Sequence, residues 1–436
     1  MSLRRVALEV LDSIIRGGKY SNLALKDALS EKPSSEAAWV SALVYETLDR
    51  LMYIDYIIDY CSKGKLNHVI KGILRLGVCQ ALFMSVPDRV ACDESVKLAK
   101  EVGKGALAGY VNGVMRTVCR LDLKTVPMPE DDRERLAVKY SYPRWIVDEY
   151  VRLYGLEFAG DMLEKSDTPF TVRAHPPYTS EMLETELNGR GMGYIRGILV
   201  KDAYKLTSGF NPVSDSLYND GFISIQSESA MLVCQICGAM QGMKVLDACA
   251  APGGKTAYLS ALMADTGSIL AWEVHQHRKE LLDRTLERLH VMNAVTALHD
   301  ARLYDEELDE KMDVVLVDAP CSGLGVRGKP DARYRKTDEV IAGLSEIQFD
   351  ILSTCSKYVK KGGALVYATC TISERENEGI MKRFLEKYNG FHPADIKPYV
   401  PMELWPRVKD GALQLFPHLD GTEGFFIAKM QRKADC

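Results

Sequence analysis

The chain has 436 residues, of which 47% are hydrophobic and 26% charged, and its formal net charge is −5. This length predicts more than one domain, and the composition excludes both a disordered chain and a uniformly basic nucleic-acid-binding protein. No apolar run reaches 18 residues, and charges interrupt the first segment, so neither a membrane span nor a signal peptide is predicted. We therefore expect a cytoplasmic protein with no membrane partner.

The first 126 residues have the periodicity of helices. From Leu3 to Ile14, apolar residues recur at the 3.6-residue spacing that lines one face of a helix. Similar patterns predict further helices over 36–60, 67–84, 91–102 and 105–120. We predict an all-α bundle over residues 1–126.

Charge is unevenly distributed along the chain. Residues 1–126 carry 18 Lys and Arg against 14 Asp and Glu, a net charge of +4, which leaves −9 for the remainder. Considered alone, this excess fits an ordinary solvated helix surface better than a surface that docks on phosphates.

Residues 127–205 have mixed patterns. Pro127 and Pro129 mark a boundary after the helical region. The helical stretch "PRWIVDEYVRLYG", the extended stretches "FTVRAH" and "YIRGILV", and a helical pattern over 179–189 follow. We predict a small α+β linker subdomain with a role in RNA recognition.

In the remaining region, 206–436, apolar strands and helices alternate from residue 240 onward. The predicted strands are 243–249, 268–273, 295–300, 313–319 and 363–369. The predicted helices between them are 256–265, 276–291, 344–360 and 375–388. Apolar strands separated by helices indicate a Rossmann-like α/β domain with a parallel sheet, and ligands bind such sheets at the carboxyl ends of the strands.

The stretch "DACAAPGGKT", residues 247–256, follows the first of these strands and resembles a phosphate-binding loop. A Walker A loop needs a glycine where this chain has Cys249, and Pro252 removes a backbone donor from the middle of the loop. "VVLVD", which ends at Asp318, would pass as a Walker B strand. A P-loop NTPase stays open as the weaker alternative.

A different ligand explains more of the pattern. The Gly253-Gly254 turn begins a helix, and four strands end in or just before acids, namely Asp247, Glu273, Asp300 and Asp318. A helix N-terminus attracts a carboxylate, and an acid at the second strand end suits the hydroxyls of a ribose. A nucleoside that bears a carboxylate and a positive centre fits these features, which predicts S-adenosylmethionine as the cofactor.

Two cysteines follow neighbouring strands, Cys321 in "DAPCSG" and Cys370 in "YATCTISERE". Cytosine C5 is too weak a nucleophile to accept a methyl group until a thiolate adds at C6, so C5 methylation requires a cysteine. We predict one cysteine for this attack and the second for release, with Asp318 at the pyrimidine edge of a base that has left its stack. Ser373 and Glu376 have the S-x-x-E spacing of a helix capping box.

The other cysteines predict no metal site. Eleven cysteines scattered through a chain expected in a reducing compartment indicate free thiols. Cys234 and Cys237 form a CxxC motif in a helical pattern, without the second pair of ligands that zinc needs. We expect no bound metal and a monomeric protein.

With its glycine turn and its Pro-Cys and Thr-Cys motifs, the C-terminal region resembles the RNA 5-methylcytosine methyltransferases of the NOL1/NOP2/Sun type. The resemblance implies that Cys370 is the nucleophile and that Cys321 assists release, with Asp318 and Lys255 in the same catalytic group. Glu273 departs from the Asp usual in the family, which alters the reach of a ribose contact. The implied cofactor-binding residues are Cys249, Ala250, Ala251, Pro252, Gly253, Gly254, Lys255, Glu273, Asp300 and Asp318.

The first domain resembles a NusB-type RNA-binding bundle, chiefly through "ILRLGVCQALFMSVPDRVACDESVKLAK" and "YVNGVMR". The combination is similar to the bacterial 16S ribosomal RNA cytosine-C5 methyltransferases, which implies 16S rRNA or a small-subunit assembly intermediate as the partner. It also strengthens the phosphate-docking interpretation of the +4 charge. Gln226 and Glu228 match loosely a Gln and an acid that the family shows near the cofactor.

A basic segment, residues 327–336, follows the Pro-Cys motif and is predicted to contact the RNA backbone. Its basic residues are Arg327, Lys329, Arg333, Arg335 and Lys336. The alternative from another class is a non-enzymatic RNA chaperone or antitermination factor that combines a NusB-like bundle with an inactive sheet. The retained pair of cysteines argues against that alternative.

Overall fold

The computed structural model describes residues 1–164, 170–207, 210–212, 214–326, 330, 332–335 and 337–434. The chain divides into two compact units, each described by itself. The first comprises Met1–Lys165 and Gly328–Arg335, and the second comprises Ser166–Arg327 and Lys336–Cys436. None of the described helices is long and apolar enough to span a bilayer.

The first unit is helical. Its helices are α1 (Leu3–Ile15), α2 (Ser21–Leu29), α3 (Ser34–Asp49), α4 (Leu51–Cys61), α5 (His68–Phe83), α6 (Asp88–Glu101), α7 (Ala108–Cys119), α8 (Asp132–Tyr140), α9 (Arg144–Tyr154) and α10 (Leu156–Leu163). In α1 the predicted apolar face is buried, and the Ser2 side chain accepts a hydrogen bond from the backbone N–H of Arg5 at the helix start. The predicted helical bundle is confirmed.

The predicted helix 36–60 is two helices. At Arg50 the backbone leaves the helical region, with φ −114° and ψ 19°, and α4 starts at the next residue. The sequence shows neither Gly nor Pro at this turn, so the local pattern did not signal it. After this break, α4 buries Leu51, Ile54 and Ile57.

The second unit begins with a small antiparallel sheet. Its elements are β1 (Thr171–Ala174), α11 (Ser180–Gly189), β2 (Tyr194–Arg196), β3 (Tyr204–Leu206), α12 (Ser216–Asn219) and β4 (Ile223–Ile225). The strand order is β2-β3-β1-β4. Val172, Leu183, Leu187 and Tyr204 are fully or almost fully buried and form the core of this sheet with α11.

The large sheet follows. Its elements are α13 (Glu228–Cys237), β5 (Lys244–Asp247), α14 (Gly254–Leu262), β6 (Ser268–Glu273), α15 (Gln276–Arg288), β7 (Ala294–Leu298), β8 (Met312–Asp318), α16 (Ala332–Arg335, which groups with the first unit), α17 (Asp338–Cys355), β9 (Val359–Thr369), α18 (Glu378–Lys387), β10 (Phe391–Pro393), β11 (Ala412–Leu415), α19 (Pro417–Asp420) and β12 (Phe425–Arg432). The strand order is β10-β12-β9-β8-β5-β6-β7, and β11 pairs with β12. The strands from β9 to β7 are parallel, and β12 runs antiparallel to β9.

All five predicted strands of the Rossmann-like domain are present, because apolar residues fill both faces of the central strands. Leu246, Val315 and Leu365 pack on one face, and Val245, Val314 and Val366 pack on the other. The predicted α/β fold is confirmed, and its parallel strands continue into an antiparallel edge.

The predicted domain boundaries differ from the compact units. Helices α8 to α10 lie in the predicted linker but group with the first unit, because α8 packs against α4. The predicted boundary between 205 and 206 falls inside β3. A strand that pairs on both sides cannot be divided between domains, so the small sheet belongs with the large one.

Candidate active site

The site lies where the large sheet reverses its strand order. From β5 the chain continues through β6 to β7 on one side, and β8 and β9 lie on the other side. The strands are parallel, so the loops after β5, β6, β8 and β9 leave the same edge of the sheet. Such a reversal opens a crevice at the carboxyl ends of the strands, where ligands bind.

The loop between β5 and α14 uses several of its own amides. The backbone N–H of Ala250 donates to Trp272 O at 2.8 Å, and that of Gly253 donates to Ala250 O at 2.8 Å. Gly253 has φ +106°, a left-handed conformation that favours glycine. Because Pro252 has no N–H, this loop retains too few free donors to encircle phosphates, which argues against a P-loop NTPase.

The acid at the end of β5 is buried. Asp247 accepts a hydrogen bond from the Thr256 hydroxyl at 2.7 Å, which ties the strand end to the first turn of α14. Burial raises the pKa of Asp247 to about 6, and the Asp318 carboxylate adds to this effect. The loop from 249 to 255 is therefore anchored at both of its ends.

The acid at the end of β6 is Glu273, which is 3% exposed. Its Oε1 accepts the backbone N–H of His275 at 3.0 Å, and its Oε2 lies 3.2 Å from Nη1 of Arg278. Arg278 also donates through Nη2 to Ala251 O at 2.8 Å. Arg278 thus joins Glu273 to the loop that contains the glycine turn. The sequence analysis did not predict this role, although Arg278 lies only five residues after Glu273.

The two remaining acids are both paired with cations. Asp300 follows β7, and Arg302 contacts both of its carboxylate oxygens, which lowers the pKa of Asp300. At the end of β8, the Lys255 Nζ lies 2.6 Å from Asp318 Oδ2. Burial alone would lower the pKa of Lys255, but Asp318 outweighs it and raises that pKa above its ordinary value. Lys255 is therefore a cation that links α14 to β8.

Cys321 and Cys370 face each other across two loops. Their Sγ atoms lie 3.2 Å apart, and both residues are partly exposed. The hydrogen bond to Cys370 and burial raise the pKa of Cys321 well above its ordinary value. The structure thus brings together the two thiols that the sequence placed after neighbouring strands.

A buried acid holds the two cysteine loops together. Glu376 accepts the backbone N–H of Ser322 at 2.8 Å and the Ser322 hydroxyl at 2.6 Å. The predicted capping box is wrong, because α18 begins at Glu378, and Ser373 and Glu376 lie in the preceding loop. Glu376 instead binds a residue 54 positions earlier in the chain, which no local pattern signals.

The predicted RNA-contacting segment is described only in part. Arg327, Lys329, Lys336 and the Arg335 side chain lie outside the described residues. In the first unit, the buried Arg333 donates to Asp49 Oδ1 at 2.7 Å and to Asp49 O at 2.8 Å. Its guanidinium also stacks on the Tyr142 ring at 4.3 Å. Arg333 is therefore engaged within the protein and does not present its guanidinium to a phosphate.

The Gln and the acid before α13 have structural partners. Gln226 accepts a hydrogen bond from Arg173 Nε at 2.9 Å. Glu228 is fully buried, accepts the backbone N–H groups of Leu199 and Val200, and pairs with Lys205 at 2.7 Å. Glu228 thus stabilises the junction between the small sheet and α13.

The CxxC cysteines belong to the core. Cys234 and Cys237 are buried in α13, and burial raises the pKa of both thiols. Across the described residues, no group of three or more His, Cys, Asp or Glu side chains could hold a metal ion.

Comparison with known proteins gives the same two-part organisation. Residues 236–431 match the model of the 16S rRNA methyltransferase RsmB/F family, and residues 1–120 match the NusB family. The probable ribosomal RNA small subunit methyltransferase B of Bacillus subtilis (strain 168) is 36% identical, with 99% of each chain covered.

Two solved structures are similar to this chain. The crystal structure of PH0851 has a TM-score of 0.80 and 25% identity, with 99% of each chain covered. A methyltransferase homolog from Pyrococcus horikoshii has a TM-score of 0.59 and 28% identity, and the match covers 70% of this chain and 100% of that one. The chain is a member of the RsmB/F family of 16S rRNA methyltransferases, with a NusB-family domain at its N-terminal end.

Proposed function

We propose that this methyltransferase transfers a methyl group from S-adenosylmethionine to C5 of a cytosine in 16S rRNA, through a covalent bond between Cys370 and C6. The observation that carries the proposal is the 3.2 Å contact between Cys321 and Cys370 at the reversal of the sheet. A methyltransferase that acts on a nucleophilic nitrogen or oxygen would need neither thiol.

The residues of the crevice fit S-adenosylmethionine. A Cβ added to Gly254 would meet nothing nearer than the Gln226 side chain at 4.0 Å, so the start of α14 leaves space along its backbone. The N–H groups of that first turn favour a carboxylate, and the oxygens of Glu273 favour ribose hydroxyls. Lys255, on the first turn of α14, forms an ion pair with Asp318 at the end of β8. When bound there, S-adenosylmethionine would supply the methyl group as a sulfonium electrophile.

The first step would belong to Cys370. Its thiolate attacks C6, which forms the Sγ–C6 bond and moves the electron pair of the C5–C6 double bond towards C5. C5 then becomes nucleophilic enough to accept a methyl group. Asp318, three residues before Cys321, is the carboxylate nearest in sequence for a hydrogen bond to the amino edge of the pyrimidine.

The second step would belong to Cys321. After methylation, C5 must lose its proton to a base, and the Sγ–C6 bond must break so that the double bond re-forms. The thiol pair itself raises the pKa of Cys321, and Cys370 no longer carries a charge once it is bonded to carbon. Bond formation at Cys370 therefore lets the partly exposed Cys321 release its proton to solvent, so that its thiolate can accept the C5 proton.

Ribosomal RNA of the small subunit is the substrate that the family membership supports. The Bacillus subtilis relative is named for this RNA, and NusB-like bundles are predicted to dock on RNA phosphates. A cytosine within a helix would have to leave its stack to reach Cys370. We propose that methylation occurs before the subunit is fully assembled, while the base is accessible.

The test is methyl transfer in vitro from radiolabelled S-adenosylmethionine to 16S rRNA, combined with bisulfite mapping of rRNA from a strain that lacks the gene. The expected result is one cytosine that is protected from bisulfite conversion in the parent strain and converted in the deletion strain. Transfer to a base nitrogen or to a ribose hydroxyl would contradict the proposal.

A further inference from the structure

The buried carboxylate of Glu376 contacts the loops of both active-site cysteines. Besides hydrogen bonds from the N–H and hydroxyl of Ser322, it accepts a hydrogen bond from Nε2 of Gln348 at 3.0 Å. Gln348 also donates to Pro320 O at 2.9 Å. The residues on both sides of Cys321 are therefore held by Glu376, one directly and one through Gln348.

The second loop is attached to the same group. The Ser322 hydroxyl lies 2.7 Å from the hydroxyl of Thr371, which follows Cys370. The backbone N–H of Gly325 donates to Cys370 O at 3.1 Å, and the Tyr367 hydroxyl donates to Glu376 O at 2.6 Å. Glu376 thus connects the residue after each cysteine, and these contacts set the separation of the two sulfur atoms.

The charge of Glu376 is not neutralised by a cation nearby. Its side chain is fully buried, its partners are neutral donors, and no ion pair to it occurs within the described parts of the chain. A buried negative charge disfavours a second one close by. Cys321 lies between Ser322, which binds this carboxylate, and Pro320, which Gln348 links to it, and the Glu376 charge disfavours the Cys321 thiolate.

We infer that Glu376 is a positioning residue that assigns different tasks to the two cysteines. Its hydrogen bonds hold the loops in register, and its negative charge disfavours a thiolate at Cys321, which keeps its proton in the free protein. This inference rests on the proposed function for the roles of the two thiols, but its electrostatic part concerns the free protein.

The other ionisable groups around Cys321 do not replace this effect. Cys370 contributes the larger part to the raised pKa of Cys321, and Glu376 contributes a smaller repulsion. Tyr367, on β9, interacts with both Cys321 and Glu376, and burial raises its pKa, so it stays neutral. Lys255 and Asp318 compensate each other as an ion pair. Removing Cys370 therefore leaves Glu376 as the uncompensated charge that Cys321 experiences.

The experiment measures alkylation of Cys321 by iodoacetamide as a function of pH in the full-length protein, with peptide mass spectrometry to separate it from the other cysteines. The background is Cys370→Ala, which removes the first thiol. Adding Glu376→Gln keeps the shape and one acceptor oxygen, and removes the charge. The matched control adds Glu386→Gln, which neutralises an exposed acid of α18.

In the Glu376→Gln protein we expect the alkylation midpoint of Cys321 to fall by about one pH unit, the usual scale for a nearby like charge. The Glu386→Gln control should have the same midpoint as the Cys370→Ala background. Equal midpoints in all three proteins would overturn the inference. This readout requires no RNA, so its failure is distinguishable from failure of the proposed cytosine methylation.

A second variant tests the positioning part, and it serves also where Glu376→Gln does not fold. Ser322→Ala removes the hydroxyl that joins the carboxylate to Thr371 and leaves the carboxylate in place. We expect a decrease in the single-turnover methylation rate of about tenfold, with no fall in the alkylation midpoint of Cys321. A wild-type rate, or a lower midpoint, would contradict the inference.

Discussion

The Sγ atoms of Cys321 and Cys370 lie 3.2 Å apart, although 49 residues separate them in the chain. Each follows a strand of the parallel sheet, and β8 and β9 are neighbours, so their loops open on the same edge. The contact is close enough for an S–H of one to donate to the sulfur of the other. Two thiols in such contact hold only one negative charge readily, which is the condition for one attacking group and one later base.

The cysteine variants should differ in the species that they accumulate. Cys370→Ala should abolish methyl transfer, because no thiolate adds to C6. Cys321→Ala should allow attack but block release, and so should leave a covalent protein–RNA complex. Denaturing gels of each variant after incubation with S-adenosylmethionine and 16S rRNA measure this as a band of lower mobility. A covalent band from Cys370→Ala would show that the roles are exchanged.

The cysteine loops should tolerate no side chain at Gly325. A Cβ added there would lie 2.1 Å from Gly424 O and 3.0 Å from Cys370 O, both backbone atoms. Gly325→Ala should therefore push the Cys370 loop away, lower the methylation rate more than tenfold and destabilise the fold by about 1–3 kcal/mol. The control is Gly343→Ala on the exposed face of α17, where a Cβ meets nothing within 4 Å. It should retain activity and gain up to about 1 kcal/mol.

Much of the fold follows from local patterns, and the exceptions have non-local causes. The strands of the large sheet were predictable because runs such as 313–319 are apolar on both faces. The turn at Arg50 was not predictable, because no breaker residue marks it in the sequence and the packing of α4 determines it. In the same way, Glu376 has the spacing of a helix cap, but Ser322 and Gln348 on other elements supply its donors.

The part of the site that lies at the ends of strands could be predicted from the sequence. Glu273 and Asp318 end apolar strands, and each cysteine follows such a strand within three residues, so their common edge could be inferred from the sequence. Their partners could not be inferred, because Arg278 and Gln348 lie on helices whose faces are set by packing. Whether an acid is paired, as Asp318 is with Lys255, depends on such contacts.

The buried Asp247 predicts a pH-dependent effect on stability. Its pKa is about 6 in the folded protein, above the ordinary 3.8, because burial disfavours its charge. The folded state then binds the additional proton between about pH 4 and pH 6, and its stability falls as pH rises through this window. Asp247→Asn keeps an acceptor for Thr256 and avoids the charge, so its advantage over the wild type should grow to roughly 3 kcal/mol above pH 6.

Urea denaturation of both proteins at pH 4.5 and pH 7.5 measures this difference. We expect the stability advantage of the variant to be much smaller at the lower pH than at the higher pH. A difference that is the same at both values would mean that Asp247 titrates normally.

The contributions of Lys255 and Asp318 to the free energy of unfolding should depend on each other, because the two side chains form an ion pair. The two side chains are 15% and 24% exposed, so removing one partner leaves the other largely out of water. Lys255→Met and Asp318→Asn should each cost about 1–3 kcal/mol, and the double variant should cost less than their sum. Chemical denaturation of the four proteins completes the cycle, and additive costs would argue against the pair. Calorimetry should show weaker binding of S-adenosylmethionine to all three variants.

Variants of Arg333 can distinguish a structural role of this residue from the RNA contact predicted for its segment. Its guanidinium is buried on Asp49 and the Tyr142 ring in the first unit, so Arg333→Ala should lower the melting temperature. Asp49→Ala removes the same ion pair from the other side and should have a similar effect. A lost phosphate contact would change the slope of log affinity against log salt by about 0.7, the value for single strands. We expect neither variant to change that slope for 16S rRNA, whereas a shallower slope for Arg333→Ala alone would show that its guanidinium leaves Asp49 to bind a phosphate.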